Sequence, residues 1–270
     1  MQGRLVPPEP GRFQAFPRDR WEEEFGFAAQ VPFSYIEWVY DLYGADVNPL
    51  TTDIGRMQAR IRESGVSVFS MCADYFMDRP FLRCSQAERA ERLQFLQRLL
   101  PLAKQVGIER IVLPFVDASR IESDKEKAIV IGTLKEALPT AREAGIELHL
   151  EADLAPLEFA KLLDKLPDTF IKVNYDSGNS SSLGYASKEE FAAYGDRVGS
   201  VHIKDRIRGG STVPLGTGDA DFPAVFGELK RIGYQGDITL QVARSEPGQE
   251  VAWARTNRLF VERYWSLAKV

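Results

Sequence analysis

A closed barrel of eight parallel strands, each followed by a helix, is the fold class the sequence predicts, and three observations predict it. Short apolar runs alternate with helix-length segments along the 270 residues, the βαβα order of a parallel α/β fold. Four residues able to ligate a divalent metal, Glu151, Asp176, His202 and Gln241, stand on four consecutive expected strands, at or near their ends. Their separations of 25, 26 and 39 residues each suit one strand-plus-helix unit. An open doubly wound sheet is the competing fold. The Gly-rich fingerprint that would follow its first strand is absent.

The first expected strand is short, residues 3–6, and Pro7-Pro8-Glu9-Pro10 ends it. Residues 19–29 follow as a helix with Trp21, Phe25 and Ala28 at helical spacing. The second strand is 34–40, and its helix spans 51–64 with Thr51 or Thr52 as the cap. The third strand is 67–72. Its helix, 85–106, opens on Ser85 and Glu88 at capping-box spacing and closes at Gly107. Strand four covers 110–114, with a helix over 123–144 that ends at Gly145. Strand five, 146–151, finishes on Glu151, and a helix follows over 155–165. Strand six, 170–174, leads into Asp176-Ser177-Gly178-Asn179, a turn-forming run, and a short helix spans 187–194. Strand seven carries His202 and enters a polar loop with Gly209, Gly210, Gly216 and Gly218; Asp221 caps a helix over 222–231. Strand eight, 237–242, carries Gln241, and a last helix runs over about 250–268. No structureless stretch is long enough to mark a boundary, so residues 1–270 read as one barrel domain.

A net charge of −5 and a pI near 5.3 argue against general affinity for nucleic acid or anionic membranes. Cys72 and Cys84 form neither a disulfide framework nor zinc spacing, which fits a reducing cytosol. No apolar run approaches the roughly 20 residues of a membrane span. The expectation is a soluble, cytoplasmic protein.

Oxygen donors with one imidazole, converging on one barrel mouth, suit Mn²⁺, Mg²⁺ or Co²⁺, with Zn²⁺ a further candidate. Each residue also has a structural reading: Glu151 as an ion-paired acid, Asp176 as an Asx-turn, His202 as a hydrogen-bonded core histidine. His149 shares the inward face with Glu151 but lies deeper, so a packed imidazole is expected there. Glu37 points inward from the second strand, for pairing or for substrate contact. Cys72 reads as a small packed hydrophobe. Lys204, Arg206 and Arg208 lie beyond His202, and Arg244 lies beyond Gln241. Loops after strands seven and eight often bind phosphate in barrels, so an anion site is expected on these cations, solvated charge being the alternative.

Taken in order, several motifs resemble the sugar phosphate isomerase/epimerase group of xylose-isomerase-like barrels, and in style its L-ribulose-5-phosphate 3-epimerase-like branch. They are Tyr35-Ile36-Glu37, Ser70-Met71-Cys72, Leu150-Glu151, Asp176-Ser177-Gly178-Asn179, His202-Ile203-Lys204-Asp205 and the run from Val213 to Phe222. The likeness is weakest in the first thirty residues. It implies a divalent metal held by Glu, Asp, His and Glu, and isomerisation or epimerisation of a small ketose, aldose or sugar phosphate through an enediolate. Glu151, Asp176 and His202 match that set, with Glu151 the proton-transfer group. Gln241 stands where the family has its second glutamate. Its amide oxygen can meet a metal, but it cannot carry a proton at neutral pH. The set then holds two negative charges instead of three, and weaker metal binding with altered, one-face chemistry is expected.

Glu37, Asn179, Lys204, Arg208 and Arg244 are the expected substrate contacts, Asn179 doubling as a turn former. The competing functions are a lyase or dehydratase on the same scaffold and a non-catalytic sugar-binding barrel. A hydrolase with a multi-zinc site would need more histidines than His149 and His202. Assembly as a homodimer or homotetramer is left open.

Overall fold

The apolar runs form strands buried on both faces, the pattern of a parallel sheet covered by helices. The computed structural model describes residues 1–268; Lys269 and Val270, the end of the expected domain, lie outside the described residues. The second to seventh expected strands are β1 (Tyr35–Val39), β2 (Ser67–Cys72), β3 (Arg110–Phe115), β4 (Glu147–Ala152), β5 (Ile171–Asp176) and β6 (Val198–Ile203). A small antiparallel pair, β7 (Asp205–Arg206) and β8 (Thr212–Val213), follows, and the eighth expected strand is β9 (Ile238–Leu240). Strands β1 to β6 and β9 pair in that order, all parallel, into a seven-stranded, nearly closed barrel.

The expected first strand at residues 3–6 does not form. The gap between β9 and β1 is spanned just before it: Gln2 bridges Glu37 in parallel, its N–H donates to Leu240 O at 3.1 Å, and Glu37 N–H donates to Met1 O at 2.9 Å. Gly3 then turns left-handed, with φ 41°, and the N–H groups of Leu5 and Val6 go to the buried Glu24 carboxylate at 3.0 and 3.1 Å. Backbone donors taken by a side chain are lost to a ladder.

Around the barrel run α1 (Trp21–Gln30), α2 (Pro49–Thr52), α3 (Ile54–Ser64), α4 (Tyr75–Asp78), α5 (Gln86–Gln105) and α6 (Asp124–Ala144). They continue with α7 (Pro156–Leu163), α8 (Ser177–Leu183), α9 (Ser187–Tyr194), α10 (Phe222–Arg231) and α11 (Glu250–Leu267). The capping box of Ser85 and Glu88 opens α5 as expected, and left-handed Gly145 closes α6. The helix expected over 51–64 is broken instead. Asn48 caps α2 through Leu50 N–H, and Asp53 leaves helical geometry to cap α3 through Arg56 N–H. No described helix is long and apolar enough to cross a membrane.

Below the mouth the barrel interior is polar. Arg110 donates through Nη1 to Asp237 Oδ1 at 2.7 Å and through Nε to Ser70 Oγ at 2.9 Å. Ser70 Oγ in turn donates to Glu37 Oε2 at 2.7 Å. This chain leads from the barrel floor to the underside of His202.

Candidate active site

The register that pairs Asp176 with His202 sets two candidate ligands side by side at the carboxyl ends of β5 and β6. Glu151, near the end of β4, completes a buried group: one ligand atom from each of Glu151, Asp176 and His202 lies within 4.8 Å of the others. His202 Nδ1 is 3.4 Å from Glu151 Oε2 and 3.9 Å from Asp176 Oδ2. Gln241, two residues on from Thr239, the register partner of His202, is 4% exposed at the mouth. Among the described residues, the buried Gln241 Oε1 has no hydrogen-bond partner, and Asp176 Oδ2 and His202 Nδ1 meet only charged neighbours. A buried polar atom left unpaired costs about 1–3 kcal/mol. Two carboxylates, an amide oxygen and an imidazole nitrogen, once the ring gives up its proton, fit a hard divalent cation. Lys204 Nζ, 2.9 Å from Asp176 Oδ2, supplies positive charge beside the same oxygen.

Asp176 serves two purposes. Its Oδ1 accepts from the N–H groups of Gly178 and Asn179, both at 2.9 Å, so the expected turn becomes the first turn of α8. A side chain at Gly178 would put its Cβ 2.7 Å from Lys204 Cγ, so only glycine lets that lysine pass. Glu151 is gripped at both oxygens: Oε1 accepts from Asn179 Nδ2 at 2.6 Å, and Oε2 accepts from Asn174 Nδ2 at 2.7 Å. Asn174 Oδ1 accepts from Ser200 Oγ at 2.7 Å, and Ser200 Oγ lies 2.7 Å from His149 Nδ1. His149 is the packed, satisfied imidazole expected, with Nε2 2.9 Å from Glu147; burial lowers its pKa.

Glu37 is fully buried beneath His202, its Oε1 2.7 Å from Nε2, and it accepts from Gln2 Nε2 at 3.1 Å. It lies outside the lining of the mouth cavity, and its contacts are with His202, Gln2 and Ser70. A carboxylate on Nε2–H leaves Nδ1 to face the ligand group, the arrangement that orients histidines at metal sites. Burial disfavours the His202 cation, but the Glu37 charge and the contacts with Glu151 outweigh it and push the imidazolium up to about 10. Burial likewise works against the Glu37 charge, yet His202, Arg110 and Ser70 hold its carboxyl at about 2.

A cavity of about 740 Å³ opens above this floor, and Glu151, Gln241, Asn179, Lys204 and Arg206 reach it. Asn179 Oδ1 accepts from Lys204 Nζ at 3.2 Å and from Arg206 Nη1 at 2.9 Å. The expected contacts Arg208 and Arg244 do not line it. Arg208 lies past the β7 strand, with its guanidinium packed over Gly184. Arg244 donates to Phe13 O at 2.9 Å, Val6 O at 3.1 Å and Gly3 O at 3.4 Å, the last two being carbonyls that the missing first strand leaves without a ladder. In the glycine-rich loop, N–H groups of Gly216, Gly218 and Ala220 close on the buried Asp205 carboxylate at 2.8, 2.9 and 3.1 Å.

Sequence reasoning missed Arg4, Gln14 and Asp74 on the cavity wall. Arg4, 4% exposed, donates through Nη2 to Gln14 Oε1 at 2.6 Å, and Gln14 Nε2 donates to Asp74 Oδ2 at 2.5 Å. Asp74 stands just past the carboxyl end of β2, the position at which a barrel's charged residues deserve a functional reading. Cys72 is the packed thiol expected, raised by burial, with Sγ 3.1 Å from Asp74 Oδ1.

L-ribulose-5-phosphate 3-epimerase UlaE of Salmonella paratyphi A is 28% identical to this chain over 250 residues, 87% of each. Among solved structures, an L-ribulose 3-epimerase has a TM-score of 0.78 at 18% identity, covering 98% of this chain and 93% of its own. The IOLI protein, with a zinc atom bound, has a TM-score of 0.77 at 15% identity, covering 93% of this chain and 95% of its own. These two likenesses concern the fold. The xylose isomerase-like TIM barrel model matches residues 25–264, from α1 through nearly all of α11 and across every strand that brings Glu151, Asp176, His202 and Gln241 together. With that match joined to this arrangement of strands, the chain belongs to the xylose isomerase-like TIM barrel family.

Proposed function

We propose that the chain is a divalent-metal-dependent epimerase or isomerase of a small ketose or its phosphate, working through an enediolate as one cytoplasmic catalytic barrel. The observation that carries the reading is the buried cluster of Glu151, Asp176 and His202, one ligand atom from each within 4.8 Å of the others, with the unpartnered Gln241 Oε1 in the same group and Glu151 and Gln241 lining the cavity. Its relatives named as sugar epimerases support the substrate class.

Glu151, Asp176, His202 and Gln241 hold the dication, Mn²⁺, Mg²⁺, Co²⁺ or Zn²⁺. When bound, it supplies Lewis acidity to a hydroxyl and the adjacent carbonyl of the sugar. Glu151, fixed by Asn174 and Asn179, takes the proton from the carbon beside the carbonyl, and the C–H electron pair enters the enediolate. Lys204 and Arg206 stand at the mouth where that negative charge develops. Asn179, already bonded to both cations, presents the wall that sugar hydroxyls meet.

Gln241 supports a second reading, one-base aldose–ketose isomerisation, in which Glu151 removes and returns the proton on a single face. The test is metal analysis of purified protein, then deuterium wash-in from D₂O into a panel of ketoses and ketose phosphates with Mn²⁺. About one bound ion per chain and exchange of a carbon-bound proton are expected. Protein that binds no divalent ion and exchanges no proton refutes the proposal.

A further inference from the structure

We propose that Asp74 is the second proton-transfer group, working on the face of the sugar opposite Glu151 in place of the acid that Gln241 lacks. The inference rests on the enediolate reading above. Two-face epimerisation needs two groups that exchange protons, and Gln241 is not one. The cavity wall holds few candidates, and their contacts separate them. Asp41 accepts from Phe16 N–H at 2.8 Å and Gly44 N–H at 2.7 Å, so it holds backbone. Asp78 and Asp117 are exposed at the rim.

Asp74 differs on each count. It reaches the cavity from the segment after β2, two strands round the wall from Glu151 on β4. Its carboxyl contacts are neutral side chains, Gln14 Nε2 on Oδ2 and Cys72 Sγ on Oδ1, and no cation forms an ion pair with it among the described residues. Gln14 is itself fixed by Arg4, so the carboxyl is oriented without being neutralised by direct pairing. Burial raises the group to about 6 against the pull of those two hydrogen bonds, with the charges of Asp41 and Glu151 adding to the rise. A carboxyl tuned toward neutral pH is suited to give and take a proton.

The step balances within the chain and solvent. Glu151 takes the proton at carbon 3, the C–H bond breaks, and its electron pair forms the enediolate double bond. Asp74, as the acid, then delivers its proton to the opposite face; a new C–H bond forms and Asp74 is left as carboxylate. Glu151 returns its proton to water, and Asp74 regains one from water. No oxidant or reductant is needed.

The test follows each epimer of a ketose pair separately by proton NMR in D₂O with Mn²⁺, for wild type, Asp74→Asn and Asp74→Glu. Calorimetric Mn²⁺ affinity and thermal melting provide the readouts independent of turnover. Asp74→Asn is expected to lose about 10²–10⁴-fold in epimer formation and in exchange of the epimer whose proton faces residue 74. Exchange of the other epimer, Mn²⁺ affinity and melting should stay near wild type. Asp74→Glu should retain both exchanges, and Gln241→Glu added to Asp74→Asn should restore epimer formation. Equal loss of both exchanges, or loss of neither, overturns the inference. Wild type that exchanges one epimer alone overturns it with no variant needed, and leaves the enediolate function standing. Wild type that exchanges no carbon-bound proton overturns the proposed function, and this inference with it.

Discussion

Metal binding at this site should release a proton, and His202 should be its source. The imidazolium is held up to about 10 by Glu37 and Glu151, and a cation at Nδ1 requires the ring to be neutral. At pH 7 the ring lies about three units below that value, so displacing its proton costs roughly 4 kcal/mol, at about 1.4 kcal/mol per unit. Mn²⁺ affinity should therefore rise about tenfold per pH unit between pH 6.5 and 8.5, with close to one proton released per ion. The metal-free fold has the opposite slope. Because the folded value lies above the ordinary histidine value near 6.5, the pair's contribution to stability is complete below about 6.5 and is lost as pH rises through about 10. Glu37→Gln removes the carboxylate that retains the proton, so its proton count should fall well below one and its pH slope should flatten. Isothermal titration calorimetry in two buffers of different protonation enthalpy reads the count directly. A count near zero for wild type, or the same count for Glu37→Gln, refutes the reasoning.

Three further outcomes are expected. Gln241→Glu restores a third negative ligand, so Mn²⁺ affinity measured by calorimetry should rise with the charge of the set; unchanged affinity means that residue 241 does not face the ion. Asp205→Asn weakens three charge-assisted bonds to the loop after β8 and should lower stability by about 1.5–3 kcal/mol, read from urea unfolding. Arg244→Ala strips donors from the carbonyls of Gly3, Val6 and Phe13, so melting should fall by several degrees while KM for a phosphorylated sugar stays within about threefold. A selective rise in KM for phosphorylated substrates would return Arg244 to the anion site.

The strands with candidate ligands near their ends were legible because alternation and spacing alone fix which residues face the mouth. Layer height was not. Glu37 and His202 both point inward, but only the assembled barrel sets one beneath the other, carboxylate against imidazole. The two readings of Asp176, turn former and ligand, proved compatible because a carboxylate has two oxygens. Arg206 and Arg208 share a sequence face, yet the short β7–β8 hairpin sends one into the cavity and the other over Gly184. Arg4, Gln14 and Asp74 were invisible for a related reason. They meet through an irregular amino-terminal segment whose path is set by Glu24 and Arg244, and no local pattern encodes that path.

The division of labour within Asp176 ties the candidate ligand group to the helix that follows it. One oxygen anchors the start of α8, and α8 presents Asn179, which clamps Glu151 and gathers Lys204 and Arg206. An ion settling on the other oxygen would draw the same carboxylate and so couple the candidate metal site to the start of α8. If an ion binds there, the amides of Gly178 and Asn179 should exchange hydrogen more slowly in its presence.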